Sequence, residues 1–226
     1  VHPTPIRDLG RTNRLQPQPQ LTAQDYQVIV TNYDDQQELR YHLQGVDLVI
    51  STVSGNPQIN LIDAAAASGV RRFCPAEFEG PPARRRQNDP LDRGKAVSLE
   101  RLKYWARRTH MKSTIFSCGV FYERFARGGL LSMGIGGSTG VAYQGSYLMD
   151  VGEKTAEIVE KNTAGQPISI SMISVHDVGR FIAAAVELGP TNWPGEFRMA
   201  GDRRTISEVL RWAEAVRGND FSLLKS

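Results

Sequence analysis

No apolar run in the sequence nears the roughly 18 residues that a membrane-spanning helix requires. The opening residues, VHPTPIRDLG, hold no apolar core of a signal peptide, so the cytoplasm is the expected compartment. Cysteine is scarce. Cys74 and Cys118 are the only two, both at the ends of expected strands. They read as buried free thiols of a reducing compartment, or as a disulfide or redox pair if the two strand ends are neighbours. No cysteine–histidine set has metal-ligand spacing; His42 and His110 read as exposed and His176 as structural, so no metal is expected. Charge of one sign is not concentrated either. The net charge is +3, and basic runs such as Arg84-Arg85-Arg86 and Arg107-Arg108 are short. These read first as solvated faces, with a phosphate or nucleic-acid contact as the alternative, and nucleic acid is not an expected partner.

Two further absences concern chemistry. Glycine-rich turns that cradle phosphates are missing: Gly134, Gly136, Gly137 and Gly140 break the G-x-G-x-x-G spacing at Thr139. Gly152-Glu153-Lys154-Thr155 echoes the end of a P-loop, but position 147 is Tyr where the upstream glycine belongs. Both read as turns. The sequence also contains no Tyr-x-x-x-Lys.

What is present is an ordinary globular composition, 40% hydrophobic and 23% charged, enough for one core or a core with a smaller lobe. Its most informative stretch is residues 46–80. The apolar run Val46, Leu48, Val49, Ile50 ends in Ser51-Thr52-Val53-Ser54-Gly55. A helix from Pro57 to Ser68 follows, with Ile59, Leu61, Ile62 and Ala66 inward, and then a strand from Val70 to Cys74. This is a βαβ unit of a doubly wound sheet, in which ligands lie beyond the carboxyl ends of the strands, here Ser51–Gly55 and Pro75–Gly80.

Around it the pattern predicts a strand at Gln27–Thr31 and a helix at Gln36–Leu43 capped by Asp34-Asp35. Asp47–Thr52 is a strand. A lid-like loop covers residues 79–95, a helix runs over 96–109 with Leu99, Leu102, Trp105 and Ala106 at helical spacing, and a strand spans Ser113–Ser117. Short strands are expected at Val141–Met149, Thr155–Val159, Ile168–Met172 and Phe197–Met199, with helices at Val175–Glu187 and Ile206–Val216. Residues 1–25, rich in Pro, Gln and Arg with PQPQ at 17–20, read as loop. A parallel sheet of this kind opens with a strand, a glycine-rich turn and a helix; nothing before Gln27 fits, and truncation of that unit is the expectation.

Five segments in order resemble the NmrA-like and isoflavone-reductase-like branch of the atypical short-chain dehydrogenases, in its fungal style. They are LQGVDLVIS (43–51), GVRRFCPAEF (69–78), TIFSCG with Phe121 (114–121), SVHDVGRF (174–181) and WPGEFR (193–198). The resemblance implies an α/β fold: a Rossmann-like doubly wound parallel sheet, N-terminally incomplete, with a smaller C-terminal α+β lobe. It implies a dinucleotide-binding domain over residues 1–125 and a substrate-binding lobe, interleaved with it, over 126–226. NADP is the cofactor it implies, and a small-molecule substrate in a cleft the partner. By position, Ser51, Thr52, Val53 and Ser54 would line the pyrophosphate and ribose. Pro75, Ala76, Glu77 and Phe78 would lie beside the nicotinamide ribose. Cys118 and Gly119 would lie near the nicotinamide, and Phe121 and Tyr122 near the substrate. The basic residue that the family uses for NADP falls in the missing region, with Arg7 as a stand-in.

The family's reductases also place a lysine on the helix after the PAEF-like motif, and that position is Leu99 here. Lys95 and Lys103 lie one turn either side, at i−4 and i+4. Lys95, nearer the ligand end, is the candidate acid/base group, with a solvated surface lysine as the plainer reading. Tyr143 is a further aromatic candidate. Three functions follow: an NADP-dependent reductase of a small aromatic or secondary metabolite, an NAD(P)-sensing regulatory protein without turnover, and a non-redox isomerase or cyclase reusing the cleft.

Overall fold

The structure, a computed structural model, describes residues 7–11, 27–86, 89, 92–137 and 140–224. It divides into two compact units. The first comprises Val1–Ala76, Arg86–Ile115 and Trp193–Gly195; the second comprises Glu77–Arg85, Phe116–Asn192 and Glu196–Ser226. Among the described residues no helix is long and apolar enough to cross a membrane.

The first unit holds strands β1 (Arg7–Arg11), β2 (Gln27–Thr31), β3 (Leu48–Ile50), β4 (Arg72–Cys74) and β5 (Lys112–Ser113). Its helices are α1 (Gln36–His42), α2 (Asn56–Ala67) and α3 (Lys95–Ala106). Asp35 starts α1, its Oδ1 accepting the Gln37 and Glu38 amides at 2.9 and 3.0 Å. Pro57, whose missing N–H costs nothing in a first turn, opens α2. Leu61, Ile62 and three consecutive alanines, Ala64 to Ala66, are buried along α2, small enough to let it lie close against its neighbours. The core gathers Leu39, Leu43, Ile62, Val70, Phe73, Leu102 and Met111, with Leu99 and Trp105 packed at its margin. Helix α2 is fastened to α3 through Asp63, which accepts the Arg101 guanidinium at 2.5 and 2.7 Å and the Trp105 indole N–H at 2.6 Å.

All strand pairs in this unit are parallel, in two pieces: β1 beside β2, and β3-β4-β5. A doubly wound sheet has the order 3-2-1-4-5-6. The partial orders 3-2 and 4-5-6 match the two pieces present among the described residues. The strand β1 corrects the expectation of loop over residues 1–25. Its sequence, RDLGR, lacks the apolar alternation that marks a strand, but its five backbone positions pair in register from Arg7↔Gln27 to Arg11↔Thr31. The PQPQ stretch lies outside the described residues.

The second unit holds β6 (Ile115–Ser117), β7 (Val120–Phe121), β8 (Met149–Asp150), β9 (Thr155–Ala156), β10 (Ser169–Ile173), β11 (Glu196–Arg198), β12 (Asp202–Thr205) and β13 (Ser222–Leu223). Its helices are α4 (Val175–Glu187) and α5 (Ile206–Arg217). Strand β6 pairs with β11, and the other orders are β12-β10-β7 and β13-β9-β8. The expected strand at Val141–Met149 reduces to its last residue. Its first part forms bends and turns, and its backbone meets that of Gly129, where an added Cβ would stand 2.6 Å from the Ala142 carbonyl and 2.7 Å from the Gln144 nitrogen. The strand expected at Thr155–Val159 stops at Ala156, and β12 was not expected. Helix α5 begins with a capping box: Thr205 Oγ1 accepts the Glu208 amide, and Glu208 Oε2 accepts the Thr205 amide at 2.8 Å.

Phe73 has no exposed surface, so Phe73→Ala is expected to lower the urea-unfolding free energy by about 3–5 kcal/mol. Thr205→Ala, which removes only the cap, is expected to cost about 1 kcal/mol in the same measurement.

Candidate ligand site

In the first unit the ends of β3 and β4 lie side by side, held by the Ser51 amide donating to the Cys74 carbonyl at 2.8 Å. The loop after β3 is internally braced, since the buried Ser51 hydroxyl donates to the Val53 carbonyl at 3.2 Å. Val53 packs on the core, Thr52 is exposed and Ser54 half-buried. Gly55, at φ +70°, then caps α2 with no side-chain hydrogen bond, which leaves the positive end of the helix dipole at this edge. Pro75 is buried, and the Ala76 amide donates to Gln58 Oε1 at 2.6 Å. Gln58 therefore joins the two strand-end loops. It is wholly buried, and its Nε2 has no hydrogen-bond partner.

The start of α3 belongs to the same edge. A Cβ on Gly94 would come within 3.8 Å of Gly55 Cα, so the two helix starts approach each other. Lys95, the next residue, is 7% exposed, which sets aside the reading of it as a solvated surface lysine. Lys103, by contrast, is exposed and pairs with Glu100 at 2.7 Å. Leu99 belongs to the margin of the core.

The second unit places its candidates around another cluster. Glu77 is fully buried and its carboxylate is gripped by both terminal nitrogens of the Arg85 guanidinium, with Glu79 within 4.0 Å of the same group. Phe78 stacks on Phe116 at 6.4 Å and packs with Phe121 on Cys118, Ile173 and Val178. The Cys118 and Gly119 amides both donate to the Glu79 carbonyl, at 2.8 and 3.1 Å. Gly119 has φ +85°, and a Cβ there would stand 2.4 Å from the Ser171 carbonyl oxygen, so no other residue fits. Tyr122 donates to Asp202 at 2.8 Å. Burial, and then that carboxylate, push its phenol up to about 12, so it is unsuited to releasing a proton. A cavity of about 410 Å³ opens in this unit, lined by Ile173, Asp177, Arg180, Phe181, Ala200 and Gly201.

Both cysteines are free and buried. Burial raises each thiol to about 12, opposed at Cys74 by Arg72 and reinforced at Cys118 by Glu79. Among the described residues no cluster of His, Cys, Asp or Glu could hold a metal ion. Sequence reasoning missed Gln58, Arg85 and Tyr147. Tyr147 lies under the Arg124 guanidinium at 4.9 Å, with its phenol raised by burial against the pull of Arg124. Only Gln58 carried a readable signal, a lone amide in the first turn of an apolar helix at a ligand-facing strand end.

The model of the NmrA-like family matches residues 4–223. No curated protein matches the sequence. Among solved structures, leucoanthocyanidin reductase from Vitis vinifera in its binary complex with NADPH has a TM-score of 0.67 at 16% identity, covering 96% of this chain and 67% of that one. A nucleoside-diphosphate-sugar epimerase from Staphylococcus aureus gives 0.65 at 13%, over 97% and 70%. AtPrR2 with NADP+ and (+)-pinoresinol gives 0.63 at 18%, over 96% and 69%. At these identities the likeness concerns the fold.

Arg85→Ala, by stranding the buried Glu77 carboxylate, is expected to cost about 3–5 kcal/mol by urea unfolding. Native protein at pH 8 is expected to react with a thiol reagent at neither cysteine, and unfolded protein at both. A folded pKa of about 12 against an unfolded value near 9.0 means that the stability tied to the neutral thiols is present below pH 9. It is lost as pH rises toward 12, so the denaturation midpoint should fall across that window.

Proposed function

The chain belongs to the NmrA-like family, and on that premise we propose that it is an NADP-dependent reductase of a small aromatic or secondary metabolite. The observation that carries this reading is the edge formed by β3, β4 and the starts of α2 and α3. There two parallel strand ends, an uncapped helix N-terminus and a buried lysine converge within one unit. Edges of this kind receive the phosphates and sugars of dinucleotides. Solved neighbours hold NADPH, or NADP+ together with (+)-pinoresinol. Ser51–Ser54 and Pro75–Ala76 would line the dinucleotide; within the second unit Phe78, Cys118 and Phe121 share an apolar cluster, Glu77 is paired with Arg85 and Tyr122 with Asp202. Arg7 opens β1 and Arg11 closes it.

When bound, NADPH would supply the hydride. The chain's part is to bind and orient both molecules and to move one proton. Lys95 is the group we assign to that proton, because Leu99 has none to give and the Tyr122 hydroxyl is tied to a carboxylate. One observation favours a second reading, binding without turnover: Leu99 packs on the core, so the family's lysine position is committed to structure.

NADPH titrated against the chain and followed by its fluorescence is expected to bind below millimolar; absence of binding would sink both readings. Lys95→Ala is expected to lower turnover by about 10²-fold or more with NADPH affinity retained. Turnover equal to that of the parent would remove Lys95 from the mechanism. Binding with no consumption of NADPH across a panel of aromatic carbonyl and ether metabolites would leave the sensor.

A further inference from the structure

The Gln58 carboxamide has one end in use. Its Oε1 accepts the Ala76 amide at 2.6 Å, which fixes which end is oxygen, since an N–H can only donate to it. Its Nε2 therefore offers two donors, in a residue with no exposed surface, to no partner within the protein. A buried donor left unsatisfied is costly, and native proteins retain few of them. Thr31 Oγ1 and Gln36 Oε1 are also buried without partners. A hydroxyl can turn, and a carbonyl oxygen has already lost less. The Gln58 amide is the group whose unused donors sit where the structure brings the β3 and β4 loops together.

Two features argue that this is a built arrangement. A leucine or isoleucine would complete the buried face of α2, whose next turn carries Leu61 and Ile62. An amide held there by Ala76 also ties the Pro75–Ala76 loop to the helix start, where the Gln58 backbone N–H donates to the Gly55 carbonyl at 3.1 Å. We propose that Gln58 is a ligand-binding residue: through Nε2 it donates to an oxygen of the bound dinucleotide, while Oε1 holds the Ala76 loop in place to receive it. Binding then completes the hydrogen bonding of a side chain that the free protein leaves half-used. This rests on the dinucleotide reading above.

The test uses wild-type protein and NADPH, with the Gln58 side-chain amide resonances assigned by their loss in Gln58→Glu. On saturation both amide protons are expected to shift, and their exchange with water to slow about tenfold or more. Gln58→Glu keeps an oxygen for Ala76 but replaces the donors with negative charge. It should weaken NADPH about tenfold or more and, as a buried carboxylate, lower the melting temperature, whereas a purely structural tie would lower the melting temperature and leave affinity unchanged. Amide resonances that stay put at saturation, as they would over a permanently buried water, overturn the proposal even if Gln58→Glu fails to fold. So does Gln58→Glu binding NADPH as tightly as wild type. Failure of wild type to bind NADPH at all removes the dinucleotide reading and this inference together. Saturable binding with an indifferent Gln58 removes only the latter.

Discussion

The strand Arg72–Cys74 has no side facing solvent: all three residues are buried, between β3 on one edge and β5 on the other. Burying an arginine there requires that its charge be met by polar groups, and the Arg72 guanidinium donates to Thr114 Oγ1 at 3.1 Å, which itself donates to the Pro194 carbonyl at 2.7 Å. The neighbouring Arg71, one step earlier and on the outside, merely pairs with Asp47 at the surface. The two arginines look equivalent in sequence and differ completely in consequence. One fastens the middle strand to two distant pieces of the unit. The other contributes little. With β4 held on both edges, its carboxyl end delivers Pro75 and Ala76 to Gln58, and that end of the sheet takes its shape from the contact.

The helices and the interior parallel strands were legible because their signals are local. Asp35 before α1, Pro57 at the start of α2 and the apolar run before Ser51 each act within a few residues, and the structure keeps those elements with boundary shifts of one to three residues, while the strand expected at Ser113–Ser117 is split into β5 and β6. Strand β1 was illegible because backbone pairing to β2, and no apolar pattern, makes it a strand. The segment after Gly140 misled for the opposite reason. It carries alternating apolar residues, but forms bends and turns where it meets the Gly129 backbone, distant in sequence. Loops at strand ends could be located from sequence, yet the state of each side chain in them could not. Whether Glu77 faces a ligand or Arg85, and whether Lys95 lies in water or under cover, depends on residues that arrive from elsewhere in the chain.

Lys95 and Leu99 share a helix face one turn apart, and their environments divide the work of that face. Leu99, half-buried, packs against the hydrophobic core. Lys95 sits at the helix start, beside the approach of Gly94 to Gly55.

At Gly119 the Ser171 carbonyl occupies the space that any side chain would begin in. Substitution there would therefore be felt first by β10, which must retreat, and through β10 by Ile173 at its end. Ile173 lines the cavity of the second unit and touches the Cys118 cluster. In mutational terms the position is an epistatic bottleneck. Descendants of this sequence can vary the cavity wall residue by residue while the glycine stays, but losing the glycine would rearrange the wall in a single step.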